Sequence, residues 1–474
     1  MTTSPDTETE AVRWSEILNR KYGMALALVC LGIWLHAADS LLVATMIPAI
    51  VGDLGGAELI SWTVALYGIG SIVAGASSGL LVLRYGLKRP MTLAAILFTV
   101  GCVISAMAPH MWVVLIGRLF QGLGGGGLLA LSFVAVGTLF PRRLTGRAMG
   151  AIGSLWGVSA FMGPLVGGLF VEYASWRGGF WFFAGQAVLM VVWIQFALRN
   201  HARPPQEEGE TRGAFPIWRL AWLSAGVFFI AYGGIDISPL RTGAYVVIGL
   251  LALLMFLRLD GAKHDNRLLP HRPFSLASPL GAALTLVLCF STTMAAITVY
   301  GPYLITLLHA APALVGGYVM ACLSICWAFA AFFVSGVPER LDGRMILIGM
   351  IVVTLSLFAY AYSLPNGPIW LIALAAAMQG SGFGMAWTFI LRRAIRLAPE
   401  HETERVASAI PTVQRLGFAI GAAYVGIIAN ATGLGGQPTL ETLRIIALIL
   451  PLACLPAAAV GLTATVRFIS AKAK

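Results

Sequence analysis

Residues 111–139 read MWVVLIGRLFQGLGGGGLLALSFVAVGTL, an apolar run interrupted by a single charge, Arg118. About 20 apolar residues cross a bilayer core, so this run is long enough to span it. A cation inside such a run costs at least ~2.5–3.5 kcal/mol on insertion scales unless it faces a partner in the protein interior. Similar runs lie near 24–51, 59–83, 91–108, 147–171, 178–198, 217–237, 242–259, 276–306, 312–337, 345–363, 367–391, 405–430 and 443–466, fourteen spans in all. Composition agrees: 58% of the 474 residues are apolar and 11% charged, against roughly 45–50% and about 25% in soluble domains. The chain reads as an all-α polytopic membrane protein, which excludes a soluble enzyme and a disordered chain. The first 23 residues are polar, and the run after them exceeds the ~7–15-residue core of a signal peptide, so the first span is expected to be retained.

The formal charge is +11, from 31 Lys and Arg against 20 Asp and Glu. With the N-terminus cytoplasmic, 26 of the 31 cations fall in cytoplasmic segments, including Arg13, Arg20, Lys21, Arg143, Arg147, Arg203, Arg212, Lys263, Arg340, Arg344, Lys472 and Lys474. Arg177, Arg241 and Arg444 fall outside, and Arg118 and Arg415 lie within spans. The positive-inside rule then places both termini in the cytoplasm. The basic balance is topology, and no nucleic-acid partner is expected. Cys30, Cys102, Cys289, Cys322, Cys326 and Cys454 all lie in apolar runs without metal-site or disulfide spacing, so they read as packing residues and no metal is expected.

Charge bias alone does not separate twelve spans from fourteen, because removing a hairpin preserves the parity of every other loop. An internal repeat does. Gln121-Gly122-Leu123-Gly124 recurs 258 positions later as Gln379-Gly380-Ser381-Gly382, Arg147 to Arg405 and Gly163 to Gly421 share that offset, and Gly79 to Gly336 differs from it by one. Six spans fill 24–198, which leaves 83 positions between the repeat units, room for an extra hairpin of 217–237 and 242–259. The expected organisation is a six-helix bundle in 1–198, a linker with the hairpin in 199–275, and a second six-helix bundle in 276–474. Repeated halves of this kind are a transporter architecture with the substrate site between them near the midplane.

The motifs resemble the major facilitator superfamily and, within it, the fourteen-helix drug:proton antiporter family. The loop GLLVLRYGLKR at 79–89 is similar to the superfamily signature G-x-L-A-D-R-x-G-R-K, matching at Gly79, Leu81, Arg84, Gly86 and Lys88. Leu83 replaces its Asp and Leu87 the first Arg of its basic pair, so a charge relay within the loop lacks its acid. Gly86 suits a tight turn. The cations Arg84, Lys88 and Arg89 either enforce topology only or meet lipid phosphates and the other half when a cytoplasmic gate closes. Leu115 to Gly122 resembles the family's second motif, whose arginine, here Arg118, is associated with proton coupling; a structural ion pair is the other reading. Gly153, Trp156-Gly157 and Gly163-Pro164-Leu165-Val166-Gly167-Gly168 resemble the motif associated with antiporters, with Ser159 where the pattern has Gly. Small residues allow close helix packing and Pro164 removes a backbone hydrogen bond, so this helix is expected to act as a pliable gate. Trp176-Arg177 and Phe180 resemble the family's outer-loop pattern.

Asp39 is the acid deep in a span of the repeated halves, whereas Asp53, Glu58, Glu172 and Glu441 sit near the outer rim and Asp236 at the outer end of the hairpin. At about 1.5 Å per residue, Asp39 lies roughly 16 Å from the outer end of its helix and Arg118 about 10 Å below the surface, so the two can pair. His36, three residues before Asp39, shares its helical face and either relays a proton or only hydrogen-bonds the acid. The repeat maps Asp39 onto Ile297 and Arg118 onto Ala376, which concentrates coupling in the first half. Tyr67, Gln121, Trp156, Tyr300, Tyr303, Trp327, Gln379, Trp387, Gln414 and Arg415 stand at plausible depth for a substrate cavity, and core packing is the alternative for each aromatic. The resemblance implies a monomeric inner-membrane exporter, not an enzyme, that exchanges amphipathic small molecules for protons by alternating access, with the proton as coupling ion and no cofactor. Neutral, zwitterionic or monocationic substrates are expected. Two alternatives stand: an exporter of one endogenous, possibly anionic, metabolite anchored by Arg118 and Arg415, and a transporter-like sensor or lipid-handling protein.

Overall fold

The computed structural model describes residues 14–19, 22–199, 216–262, 267–399, 402–436 and 438–471; Arg13, Arg20, Lys21, Arg203, Arg212, Lys263, Lys472 and Lys474 lie outside the described residues. Its described regular structure is helical: α1 (Trp14–Ile17), α2 (Gly23–Leu54), α3 (Ile60–Tyr85), α4 (Lys88–Ala106), α5 (Met111–Leu139), α6 (Arg142–Tyr173) and α7 (Trp176–Ala197). The hairpin comprises α8 (Ile217–Tyr232) and α9 (Pro239–Gly261). The second bundle holds α10 (Pro279–Thr293), α11 (Ala295–His309), α12 (Ala313–Val334), α13 (Asp342–Asn366), α14 (Ile369–Leu397), α15 (Thr403–Ala431), α16 (Leu440–Ala453) and α17 (Leu455–Ser470). Polar punctuation sets several starts: the hydroxyls of Ser175, Ser278 and Thr439 accept from backbone N–H groups in the first turns of α7, α10 and α16, the usual N-cap role. Gly86, at φ 72°, closes α3 in a conformation that glycine adopts without strain.

Among the described residues thirteen helical stretches are long and apolar enough to cross a membrane, with α10–α11 and α16–α17 each forming one stretch. The expected fourteenth is α8, an apolar helix of 16 residues, about 24 Å long against a core of ~30 Å. Thirteen, not fourteen, is therefore the count that length supports, because α8 ends early at the Gly233-Gly234 turn. It is paired with α9 at close range: a Cβ on Gly249 would lie 2.7 Å from the carbonyl oxygen of Gly226.

The repeated glycines mark where backbones meet, and the two halves meet in the same way. A Cβ on Gly122 would strike the backbone of Tyr67 in α3, and one on Gly380 the backbone of Leu323 in α12. Gly124 abuts Ala94 in α4, and Gly382 abuts Gly349 in α13. Gly163 faces the Ala38 carbonyl in α2 at 3.0 Å, and Gly421 the Cα of Thr292 in α10 at 3.0 Å. One difference stands out. Whereas α2 is continuous, its counterpart breaks at Met294 into α10 and α11, and Gln379 donates to the Thr293 carbonyl at 3.4 Å beside the break.

The halves touch along α3–α15 and α6–α12. On the face opposite the arginine-rich loops these pairs are tightly packed: Gly426 on Ser61, Gly68 on Ala419, Gly168 on Leu314, and Gly317 on Pro164 and Thr45. Beyond them, Arg415 donates to the Ser71 hydroxyl and the Phe161 ring is 5.5 Å from that of Tyr318. Further toward the arginine-rich face, a Cβ on Gly75, Gly79, Gly153 or Gly157 would meet nothing within 4 Å. The molecule thus holds a cleft that is closed on one face and open on the arginine-rich one.

The hairpin leans on both halves through α3 and α15. Trp62 of α3 packs edge-on against Phe228, 5.3 Å away. At the hairpin's base Arg219 pairs with Asp260 at 2.7 Å, and the Asp260 carboxylate accepts the N–H groups of Leu268 and Leu269. If both arms cross the bilayer, a cysteine at Asp236 reacts with an impermeant thiol reagent from one side and a cysteine at Gly261 only from the other. Labelling of both from one side would remove the fourteen-crossing topology.

Candidate functional site

The site forms where α2, α3 and α5 converge. Gly117 and Gly122 bring α5 against its neighbours with no side chain between, since a Cβ on Gly117 would lie 2.7 Å from the Gly101 carbonyl. That approach lets Arg118 reach inward. Its Nη1 donates to Asp39 Oδ2 at 2.6 Å and to Gln121 Oε1 at 2.9 Å, and its Nε donates to the Thr63 carbonyl at 3.3 Å. The guanidinium lies 4.2 Å from the centroid of the Tyr67 ring, a cation–π distance. Asp39 is 0% exposed and Arg118 3%. Two charges removed from water are tolerated only when paired and hydrogen-bonded, and Arg118 meets that condition with three acceptors. Asp39 meets it by half: Oδ1 is buried with no hydrogen-bond partner.

A second layer lies between this pair and the cleft. The Tyr67 hydroxyl is 2.9 Å from His36 Nδ1, and the His36 ring stands edge-on to Trp156 with centroids 6.1 Å apart. Gly125 leaves room for this contact, because a Cβ there would lie 2.8 Å from the Tyr67 hydroxyl. Trp156 is 41% exposed. Opposite, from the other half, comes the half-buried Arg415, with half-buried Gln414 beside it on α15. The structure therefore gathers Asp39, Arg118, His36, Tyr67, Trp156 and Arg415 around the apex of the cleft.

Of the remaining residues singled out above, Gln121 backs the ion pair and the others lie away from it. Gln121 is fully buried, taking Arg118 on its oxygen and donating to the Cys102 sulfur at 3.1 Å. Gln379 is fully buried at the α10–α11 break. Tyr300 and Tyr303 sit in the closed layer, Tyr300 against Ser61 and Gly426. Trp327 and Trp387 pack on Phe383, with ring centroids 4.5 and 5.4 Å away, inside the second half. Of the motif residues, Pro164 and Gly168 meet α12 in the closed layer, Gly163 and Gly167 seat α6 on α2 within the first half, and Gly79 faces open space. Arg84 lies over the Tyr85 ring at 5.7 Å, and Lys88 and Arg89 begin α4 beyond the Gly86 turn.

Sequence reading missed four contributors. Ser71 and Thr63 were silent because hydroxyls and carbonyls in apolar helices carry no spacing signal. Cys102, read as packing, also accepts a hydrogen bond. Asp342 is a fully buried acid at the start of α13, held by Arg392 and Arg396. A signal for it existed, an acid six residues past Gly336, near the counterpart of the motif in which Leu83 replaces the acid.

A profile of the Major Facilitator Superfamily matches residues 29–422. The chain belongs to the Major Facilitator Superfamily. Among curated members, a probable multidrug-efflux transporter of Mycobacterium tuberculosis is 27% identical over 91% of this chain and 92% of its own length. The multidrug efflux pump SdrM of Staphylococcus aureus is 24% identical over 88% of this chain and 92% of its own. Solved structures share the major facilitator fold: the peptide transporter POT at TM-score 0.67 and 17% identity, covering 95% of this chain and 99% of that one. A D-xylose-proton symporter aligns at 0.61 and 14% identity, covering 92% and 97%.

In this major facilitator protein, breaking the buried pair from one side strands a charge. Arg118→Ala should destabilise the purified protein by about 3–5 kcal/mol, the usual cost of leaving one buried ion unpaired. Adding Asp39→Asn should recover most of that loss. Thermal melts of the single and double variants check it, and equal melting of the two would mean that the charges do not compensate each other.

Proposed function

We propose that the protein exports amphipathic small molecules in exchange for protons, by alternating access of a cleft between its halves. The observation that carries this reading is the Asp39–Arg118 pair, fully buried, with one carboxylate oxygen unpartnered, next to the apex of an open cleft. A carboxylate held this way changes the local charge by one unit when it takes or releases a proton, and its neighbours Arg118, His36 and Tyr67 feel that change at once. The restraint on Tyr67 from the Arg118 guanidinium and on His36 from the Tyr67 hydroxyl links the acid to the side chains that line the cleft. The names of the mycobacterial and staphylococcal relatives support export of drug-like compounds.

In this reading the open arginine-rich face is cytoplasmic, as the positive-inside rule requires, and the protein works as a monomer in the inner membrane. The cleft takes its cargo from the cytoplasmic side or the adjoining leaflet. The closed layer of Pro164 and Gly168 on α6 against Gly317 and Leu314 on α12 is the gate that must part for release. Small residues suit that duty, since the helices separate without pulling interlocked side chains out of each other's grooves. The hairpin, wedged against α3 and α15, moves with whichever half holds it more tightly.

Asp39→Asn should abolish accumulation driven by a pH gradient in proteoliposomes, while the variant stays folded and still equilibrates substrate down its own gradient. If Asp39→Asn still concentrates substrate in response to protons, the carrier lies elsewhere and this mechanism is wrong.

A further inference from the structure

The charge that a bound molecule meets in the cleft is not that of Asp39. At the apex of the cleft the charged side chains gathered among the described residues are Asp39, Arg118 and Arg415. The first two neutralise each other, are 0% and 3% exposed, and are covered on the cleft side by Tyr67 and His36. Arg415 differs in every respect. It comes from the opposite half, is half-buried at the α3–α15 contact, and donates to a neutral hydroxyl, that of Ser71. No ion pair of Arg415 is present among the described residues, whereas Arg392 and Arg396, lower on α14, have Asp342 and Glu339. A guanidinium carries five N–H donors in a planar fork, so most of its donors remain for another partner. The His36 ring stands 6.1 Å from that of Trp156. On the α6 side of the cleft the exposed rings are Trp156 at 41% and Phe161 at 49%, with Tyr318 of the other half facing Phe161.

We infer that the cleft selects aromatic amphipaths bearing a single oxyanion, with the oxyanion on Arg415 and the ring against Trp156 and Phe161. This deepens the transport reading above and rests on it for the direction of movement, but not for the binding chemistry. An oxyanion matches the guanidinium fork in a charge-assisted, bidentate way. A cationic amphipath instead meets Arg415 first, and Asp39 is open to it only after Tyr67 and His36 move. The expected preference is therefore the reverse of one based on Asp39 alone.

Three probes with one ring system separate the possibilities: 2-naphthoate, the neutral 2-naphthamide and the cation 2-naphthylmethylammonium, titrated by calorimetry into the full-length protein in nanodiscs. Naphthoate should bind at least about tenfold tighter than the ammonium, the scale of one hydrogen bond to a charged group. Arg415→Gln should cost naphthoate about tenfold while naphthamide changes little, and Arg415→Lys, which keeps the charge, should keep naphthoate ahead of the ammonium. Tighter ammonium binding, an equal loss of all three probes in Arg415→Gln, a reversed order in Arg415→Lys, or binding of none of the three overturns the inference. Naphthoate that binds through Arg415 but is not moved by a pH gradient in proteoliposomes leaves the inference standing and removes the export reading instead.

Discussion

An ion pair sealed in a membrane protein constrains everything near it. Asp39 and Arg118 meet at 2.6 Å with almost no solvent contact, and dehydrating each ion costs several kcal/mol that only good geometry returns. Arg118 needs Gln121, the Thr63 carbonyl and the Tyr67 ring as well as Asp39, and these come from α2, α3 and α5. The three helices must therefore stay in register, and the close backbone contacts of α3 with α5 at Gly70 and Gly122 help to hold it. The pair is rigid on its own half, so movement of the other half against it is the freedom that remains.

The halves share a packing scheme and differ in chemistry. Gln121 and Gln379 occupy equivalent places, yet the first holds an arginine and the second a carbonyl beside a broken helix. Ile297 and Ala376 stand where Asp39 and Arg118 do in the first half, so nothing there demands a rigid register. The break at Met294 interrupts the helix in the second half where α2 is continuous. One half thus carries the buried charge and the other the broken helix, with Arg415 as the cation that the second half presents to the first.

The helices and the depth of the deep charges were legible in the sequence, because apolar length sets a crossing and rise per residue sets depth. Counting from Ile50 and Met111 was enough to put Asp39 and Arg118 within reach of each other. Depth does not give direction around the helix axis, however. Tyr300 and Tyr303 have the right depth for a cavity and lie in the closed layer instead, whereas Trp156 faces the cleft. The Arg415–Ser71 contact joins residues 344 positions apart, and no local pattern announces it. The length of α8 was overread because the glycines that end it sit inside an apolar run, which hydropathy does not register.

In the proposed mechanism protonation of Asp39 governs which face of the cleft is open, through Arg118 on α5, Tyr67 on α3 and His36 on α2. Spin labels at Gly79 and Ser408, on either side of the open face, report that state directly as a distance, once the accessible native cysteines are replaced. Two distance populations are expected, with a ratio that follows pH in the otherwise native protein and is fixed in Asp39→Asn. The same pH response in Asp39→Asn would contradict that mechanism.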